Sequence, residues 1–194
     1  VTADGVSTST ITIQAIDASG NNLVAGEDTV VLSANGSATI SAVTDNSNGT
    51  YTATITNTVA EAITINATLN GASVTDTTAL TFNPGVATTA NSIISVSSTS
   101  VTADGTSTST ITVQTKDAQG NNLTTGGATI VLAENGSAVI STVTDNGNGT
   151  YTASITNTVA QAITISGTLN GASMTDTAAL TFNPGVATTA NSTL

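Results

Sequence analysis

Hydrophobic and polar positions alternate along most of this chain. In residues 150–156, Tyr151, Ala153 and Ile155 fall on one face and hydroxyl-bearing residues on the other. A period of two is the signature of a half-buried strand. The same alternation recurs at 109–116, where Ile111 and Val113 point inward, and at 129–133, where Ile130 and Leu132 do. It recurs again at 163–169, with Ile163 and Ile165. Two further strands are expected at 93–103 and 139–144. A seventh, at 173–182, closes at Asn183-Pro184-Gly185, because proline cannot donate to a ladder. Turn residues punctuate these segments at roughly the 8–12-residue spacing of a β-sandwich. No stretch carries a helical period.

The tightest turn signal is Thr144-Asp145-Asn146-Gly147-Asn148-Gly149-Thr150-Tyr151. Asp, Asn and Gly tolerate positive φ, and short Asx side chains bond nearby backbone. The same stretch stands one hundred residues earlier as Thr44 to Tyr51, and residue i matches residue i+100 throughout without a gap. By direct comparison about three-quarters of these positions are identical. This period exceeds the roughly 20–50 residues of a solenoid unit and suits a tandem pair of complete domains. The expected division is 1–90 and 91–194, with the first strand of the first domain largely missing and a new linker starting at Asn191-Ser192. The short, uncharged linker 84–90 implies two sandwiches end to end.

Differences between the copies fit this reading. Ile16 becomes Lys116 on an outward face, whereas inward changes are mild: Ile13 to Val113, Val30 to Ile130, Val74 to Met174. Asp76 and Asp176 share parity with inward residues, which calls for a bulge, a position near a sandwich end, or a buried partner.

Composition excludes several functions. Twelve acidic residues stand against the single base Lys116, a net charge of −11. Such a chain cannot neutralise phosphates, so no nucleic-acid partner is expected. No apolar run reaches the roughly 18 residues of a spanning helix, so no membrane insertion is expected. With neither His nor Cys, and no Lys in the first copy, the usual general bases and nucleophile partners are missing and no enzyme is expected. Aromatics make up 2% of the chain, too few for a sugar-binding platform. An intramolecular Lys–Asn isopeptide has no lysine in the first copy.

The ordered motifs Ala103-Asp104-Gly105-Thr106-Ser107, Thr110 to Val113, Asp117-Ala118-Gln119-Gly120-Asn121 and Asp145 to Tyr151 resemble the bacterial immunoglobulin-like repeats of the invasin and intimin type, in both copies and over nearly the whole chain. The resemblance implies an all-β chain of two tandem seven-stranded immunoglobulin-like β-sandwiches. It also implies an extracellular role, secreted or at the cell surface, as stalk repeats of a large adhesin. The partners expected are adjacent repeats of the same chain, with a monomeric state and a receptor contacted elsewhere.

One ligand chemistry stays open. The loops at 117–122, 145–149 and 170–173 are expected at one pole, with Asp176 starting the strand that leaves it. Asp117, Asp145 and Asp176, together with Asp4 and Glu61 of the first copy, are the candidate ligands for Ca²⁺, which takes six to eight oxygens in irregular geometry. The competing account is ordinary turn chemistry, in which Asx side chains satisfy backbone donors. No other cofactor is expected. Outward threonines such as Thr150, Thr152 and Thr156 suit a wetted sandwich exterior better than an ice-binding array, which needs a flat sheet.

Overall fold

A computed structural model describes residues 1–188, which form two compact units, Val1–Gly85 and a second that begins at Val86. Every regular element among the described residues is a strand. Among the described residues no helix is long and apolar enough to cross a membrane.

The first unit contains β1 (Ser9–Gln14), β2 (Val30–Ala34), β3 (Thr39–Ile40), β4 (Thr44–Asp45), β5 (Thr50–Thr56), β6 (Ala62–Leu69), β7 (Ala72–Ser73) and β8 (Thr78–Thr81). One sheet runs β1-β5-β3, with β4 also on β5. The other is centred on β6, which pairs with β2, β7 and β8. The second unit repeats this with β9 (Ile93–Val96), β10 (Ser100–Thr102), β11 (Ser109–Gln114), β12 (Ile130–Glu134), β13 (Val139–Ile140), β14 (Thr144–Asp145), β15 (Thr150–Thr156), β16 (Gln161–Leu169), β17 (Ala172–Ser173) and β18 (Ala178–Asn183). Its sheets run β13-β15-β11-β9 and β10-β18-β16-β12.

Inward residues of the two sheets meet in one cluster per unit. In the second it includes Ile111, Val113, Tyr151 and Ile155 from one sheet, and Ile163, Ile165, Leu180 and Phe182 from the other. Full burial of a large apolar side chain is worth roughly 1.5–3 kcal/mol, so this handful of residues carries much of the cohesion in a chain so poor in aromatics. The alternation read in 150–156 is the alternation observed, with Tyr151, Ala153 and Ile155 all buried.

Three of the expected strands are broken, each for a local reason. The segment 93–103 is not one strand. β9 pairs antiparallel with β11, and β10 crosses to the other sheet and pairs parallel with β18. Serine hydroxyls manage the crossing: Ser98 N–H donates to Ser109 Oγ, and Ser98 Oγ donates to the Ser100 carbonyl. The segment 139–144 divides into β13 and β14, both on β15. At the break Ser141 Oγ accepts from the Ser154 N–H. The segment 173–182 divides into β17 and β18 on one edge of β16. Between them lies Asp176, whose awkward parity is resolved by a partner, since its Oδ2 accepts the Ile94 N–H at 2.7 Å.

The expected linker 84–90 also differs from its reading, because the second unit begins at Val86. Thr88 N–H donates to the Lys116 carbonyl, and Asn91 Nδ2 to those of Asp117 and Ala118, so this segment is bonded into the second unit. β11 ends at Gln114, and Lys116 lies beyond it in an isolated bridge to Asn122. The expected new linker at Asn191-Ser192 lies outside the described residues.

Candidate functional site

The Asp145–Tyr151 turn is the centre of one pole of the second unit. Gly149 adopts φ +83°, and a β-carbon there would overlap the Leu123 carbonyl oxygen, so only glycine fits. The Gly149 carbonyl accepts from the Thr115 N–H at 3.0 Å, Thr115 Oγ1 at 2.9 Å and Gln114 Nε2 at 3.2 Å. The turn is thereby locked to the end of β11. The irregular segment 123–129 wraps across the same pole on side-chain acceptors. Gly127 N–H donates to Asp145 Oδ2, Ala128 N–H to the Tyr151 hydroxyl, and Thr129 N–H to Asn170 Oδ1. The first unit repeats these contacts at Glu27, Asp28 and Thr29 with Asp45, Tyr51 and Asn70.

The candidate carboxylates are therefore occupied within their own units. Asp145 Oδ1 accepts the Gly147 N–H while Oδ2 holds Gly127. Asp117 is buried, and accepts from the N–H groups of Gln119 and Asn121 and from Asn121 Nδ2. Asp176 holds β9. In the first unit Asp4 accepts from Val6 N–H, Ser7 N–H and Ser7 Oγ. Its carboxyl is held down to about 2, chiefly by the Ser7 hydroxyl and then by the backbone donors. Glu61 accepts Ser37 N–H and Asn57 Nδ2, and these donors hold it below the usual carboxylate range. Asp17 is lowered by the Asn21 side chain and backbone, and Asp104 by the Ser107 N–H and hydroxyl. Hydrogen bonds to the charged form are the common cause.

The 117–122 loop and the 145–149 turn do share a pole, joined through Gln114, Thr115 and Leu123. Among the described residues, however, no group of three or more His, Cys, Asp or Glu side chains stands where it could hold a metal ion. Asp117, Asp145 and Asp176 are distributed over separate backbone contacts. Sequence reasoning missed Gln114, which sits at an outward strand position and bonds three carbonyls around the turn. It also missed Asn57 and Asn157, both buried. Only the parity of Gln114, and the repetition of both residue types in the two copies, could have marked them.

The family described as "Invasin, domain 3" matches residues 1–85 and again residues 88–185. The chain belongs to this family. Its fold is the invasin-type immunoglobulin-like sandwich, twice over. Among solved structures, Yersinia pseudotuberculosis InvD is 31% identical with a TM-score of 0.65, over 100% of this chain and 58% of that one. Invasin, a bacterial integrin-binding protein, is 24% identical with a TM-score of 0.65, over 95% of this chain and 38% of that one. The Escherichia coli adhesin FdeC is 27% identical with a TM-score of 0.52, over 96% and 61%. This chain thus spans less than two thirds of each of these structures. Among curated proteins none matches it.

Proposed function

We propose that the two repeats are spacers of a bacterial surface adhesin, carrying a separate binding domain away from the cell. The observation that supports this most is the fate of the chemistry-bearing groups. Asp4, Asp17, Asp45, Asp104, Asp117 and Asp145 each accept at least two donors from their own unit, so the acidic loops are spent on closing backbone. The net charge of −11 keeps neighbouring copies apart and soluble.

The competing role is a Ca²⁺-dependent binding or stiffening module built on Asp117, Asp145, Asp176, Asp4 and Glu61. Melting the chain in EDTA and in millimolar Ca²⁺ separates the two. Spacer repeats with internally capped turns keep the same midpoint in both. A midpoint several degrees higher in Ca²⁺ would show that the carboxylates serve an ion.

A further inference from the structure

In the second repeat a strand near the entry of the chain is bonded directly to the strand at its exit. β10 and β18 pair parallel in the register Ser100↔Thr181, Val101↔Phe182 and Thr102↔Asn183. The Thr181 N–H donates to the Thr99 carbonyl at 2.9 Å, and the Ala103 N–H to the Asn183 carbonyl at 2.8 Å. Asn183 Nδ2 adds a bond to Ser100 Oγ at 2.7 Å. Phe182 is buried and Val101 packs on the same core, so one side of this ladder is closed to water. The first repeat holds the same pairing. Thr2 bridges Asn83 in parallel, the Ala3 N–H donates to the Asn83 carbonyl, and the Asn83 N–H to the Val1 carbonyl.

The path of the chain sets how this ladder meets a load. The chain enters where Thr88 and Asn91 bond the carbonyls of Lys116, Asp117 and Ala118, beyond the end of β11. It leaves after Asn183, beside Ala103, where the nearby Gly105 N–H donates to the Asn157 carbonyl. β11 and β15 run antiparallel, with Gln114 opposite Thr150 and Ser109 opposite Ile155, so Lys116 and Asn157 mark opposite ends of the sandwich. Tension between entry and exit therefore pulls β10 and β18 in opposite directions along their own axes. Ladder bonds run across from strand to strand, so a load along the strands strains them all together, whereas a load across them breaks one at a time. We propose that β10–β18 is a mechanical clamp, a shear ladder that keeps the repeat folded while the chain is under tension. β9, antiparallel on β11, is sheared off first, and the clamp takes the load that follows.

The test is single-molecule stretching of the full chain, which has no native cysteine, through introduced cysteine handles. Val86→Cys with Val186→Cys, both at exposed positions, loads the second repeat from entry to exit. Thr106→Cys with Val186→Cys grips the two strands at one end and peels them apart. The first copy carries Val6 in the place of Thr106, so no hydroxyl is needed there. With the bonds at Thr99, Ser100 and Asn183 strained together, the entry-to-exit rupture force should be roughly threefold the peeling force at the same pulling rate. The denaturation midpoints of the two chains should be equal, because rupture under load follows the unfolding barrier and not equilibrium stability. The main entry-to-exit step should release residues 100–183 together, after a smaller step that frees 86–98. Equal forces in the two geometries overturn the proposal, as does a difference that merely follows a lower midpoint in the Thr106→Cys chain. A main step that frees only residues 86–98 overturns it in favour of β9 as the resisting element.

Discussion

The two copies solve the same buried-amide problem differently, and the difference can be engineered. In the first unit the amide of Asn57 donates to Glu61 at 2.8 Å. In the second, Gln161 replaces Glu61 and donates to Ser137 Oγ, leaving Asn157 Nδ2 buried without a partner. An unsatisfied buried polar group costs about 1–3 kcal/mol. Gln161→Glu supplies the missing acceptor, but it also adds a carboxylate beside the Gly136 turn, where Glu134 already accepts the Gly136 N–H. Like charges a few ångströms apart at a wetted surface repel by on the order of 1 kcal/mol. The first copy avoids this by carrying Ala34 where the second has Glu134.

The informative variant is therefore Gln161→Glu combined with Glu134→Ala, which reproduces the first copy's solution. We expect about 1–2 kcal/mol of added stability in the second repeat, which corresponds to roughly 4–16 °C in a domain of this size. The single Gln161→Glu change should deliver less. The assay is chemical or thermal unfolding followed by a probe in the second repeat, at neutral pH and again near pH 3. A carboxylate whose folded pKa lies below its unfolded value stabilises above the unfolded pKa and loses that contribution as pH falls through the folded one. The gain should thus shrink in acid. No gain at neutral pH, or an undiminished gain at low pH, would refute the assignment of Asn157 as an unmet donor.

Three further outcomes follow from the same contacts. Gly149→Ala places a methyl against the Leu123 carbonyl at φ +83°, and should cost at least about 3 kcal/mol in the second repeat, read as a lowered midpoint with the first repeat unaffected. Tyr151→Phe removes the acceptor of the Ala128 N–H while keeping the ring, and should cost about 1–2 kcal/mol; a cost near zero would show that water replaces the hydroxyl. Because Asp4 titrates at about 2 when folded against an ordinary 3.8, its contribution is present above pH 4 and lost as pH falls towards 2. Asp4→Asn should flatten that part of the first repeat's acid transition, and an unaltered pH dependence would contradict it.

Much of the fold was legible because alternation is a strong signal when one face is buried. The strand at 150–156, with its inward Tyr151, Ala153 and Ile155, was readable to the residue. The breaks were not, because a chain-wide Ser and Thr background looks the same whether a hydroxyl faces solvent or replaces a ladder bond, as Ser109 and Ser141 do. The edge switch at residues 97–99 leaves the alternation almost intact while moving the chain between sheets. At the candidate site, strand order led to the expectation that the acidic loops share a pole. It could not show where their oxygens point, because an aspartate that caps a turn and one that ligates an ion carry the same neighbours in sequence. Asp176 shows this most clearly: its partner, the Ile94 N–H, lies 82 positions away.

The spacer account is tested most directly by transplanting the chain. A binding domain of known receptor is displayed on a bacterial surface with and without these two repeats beneath it, and capture of cells by receptor buried under polymer layers of graded depth is measured. The account predicts that the repeats extend the depth at which capture occurs, equally in EDTA and in Ca²⁺, with the receptor specificity of the displayed domain unchanged. Capture depth that does not increase, or that increases only with Ca²⁺, would contradict it.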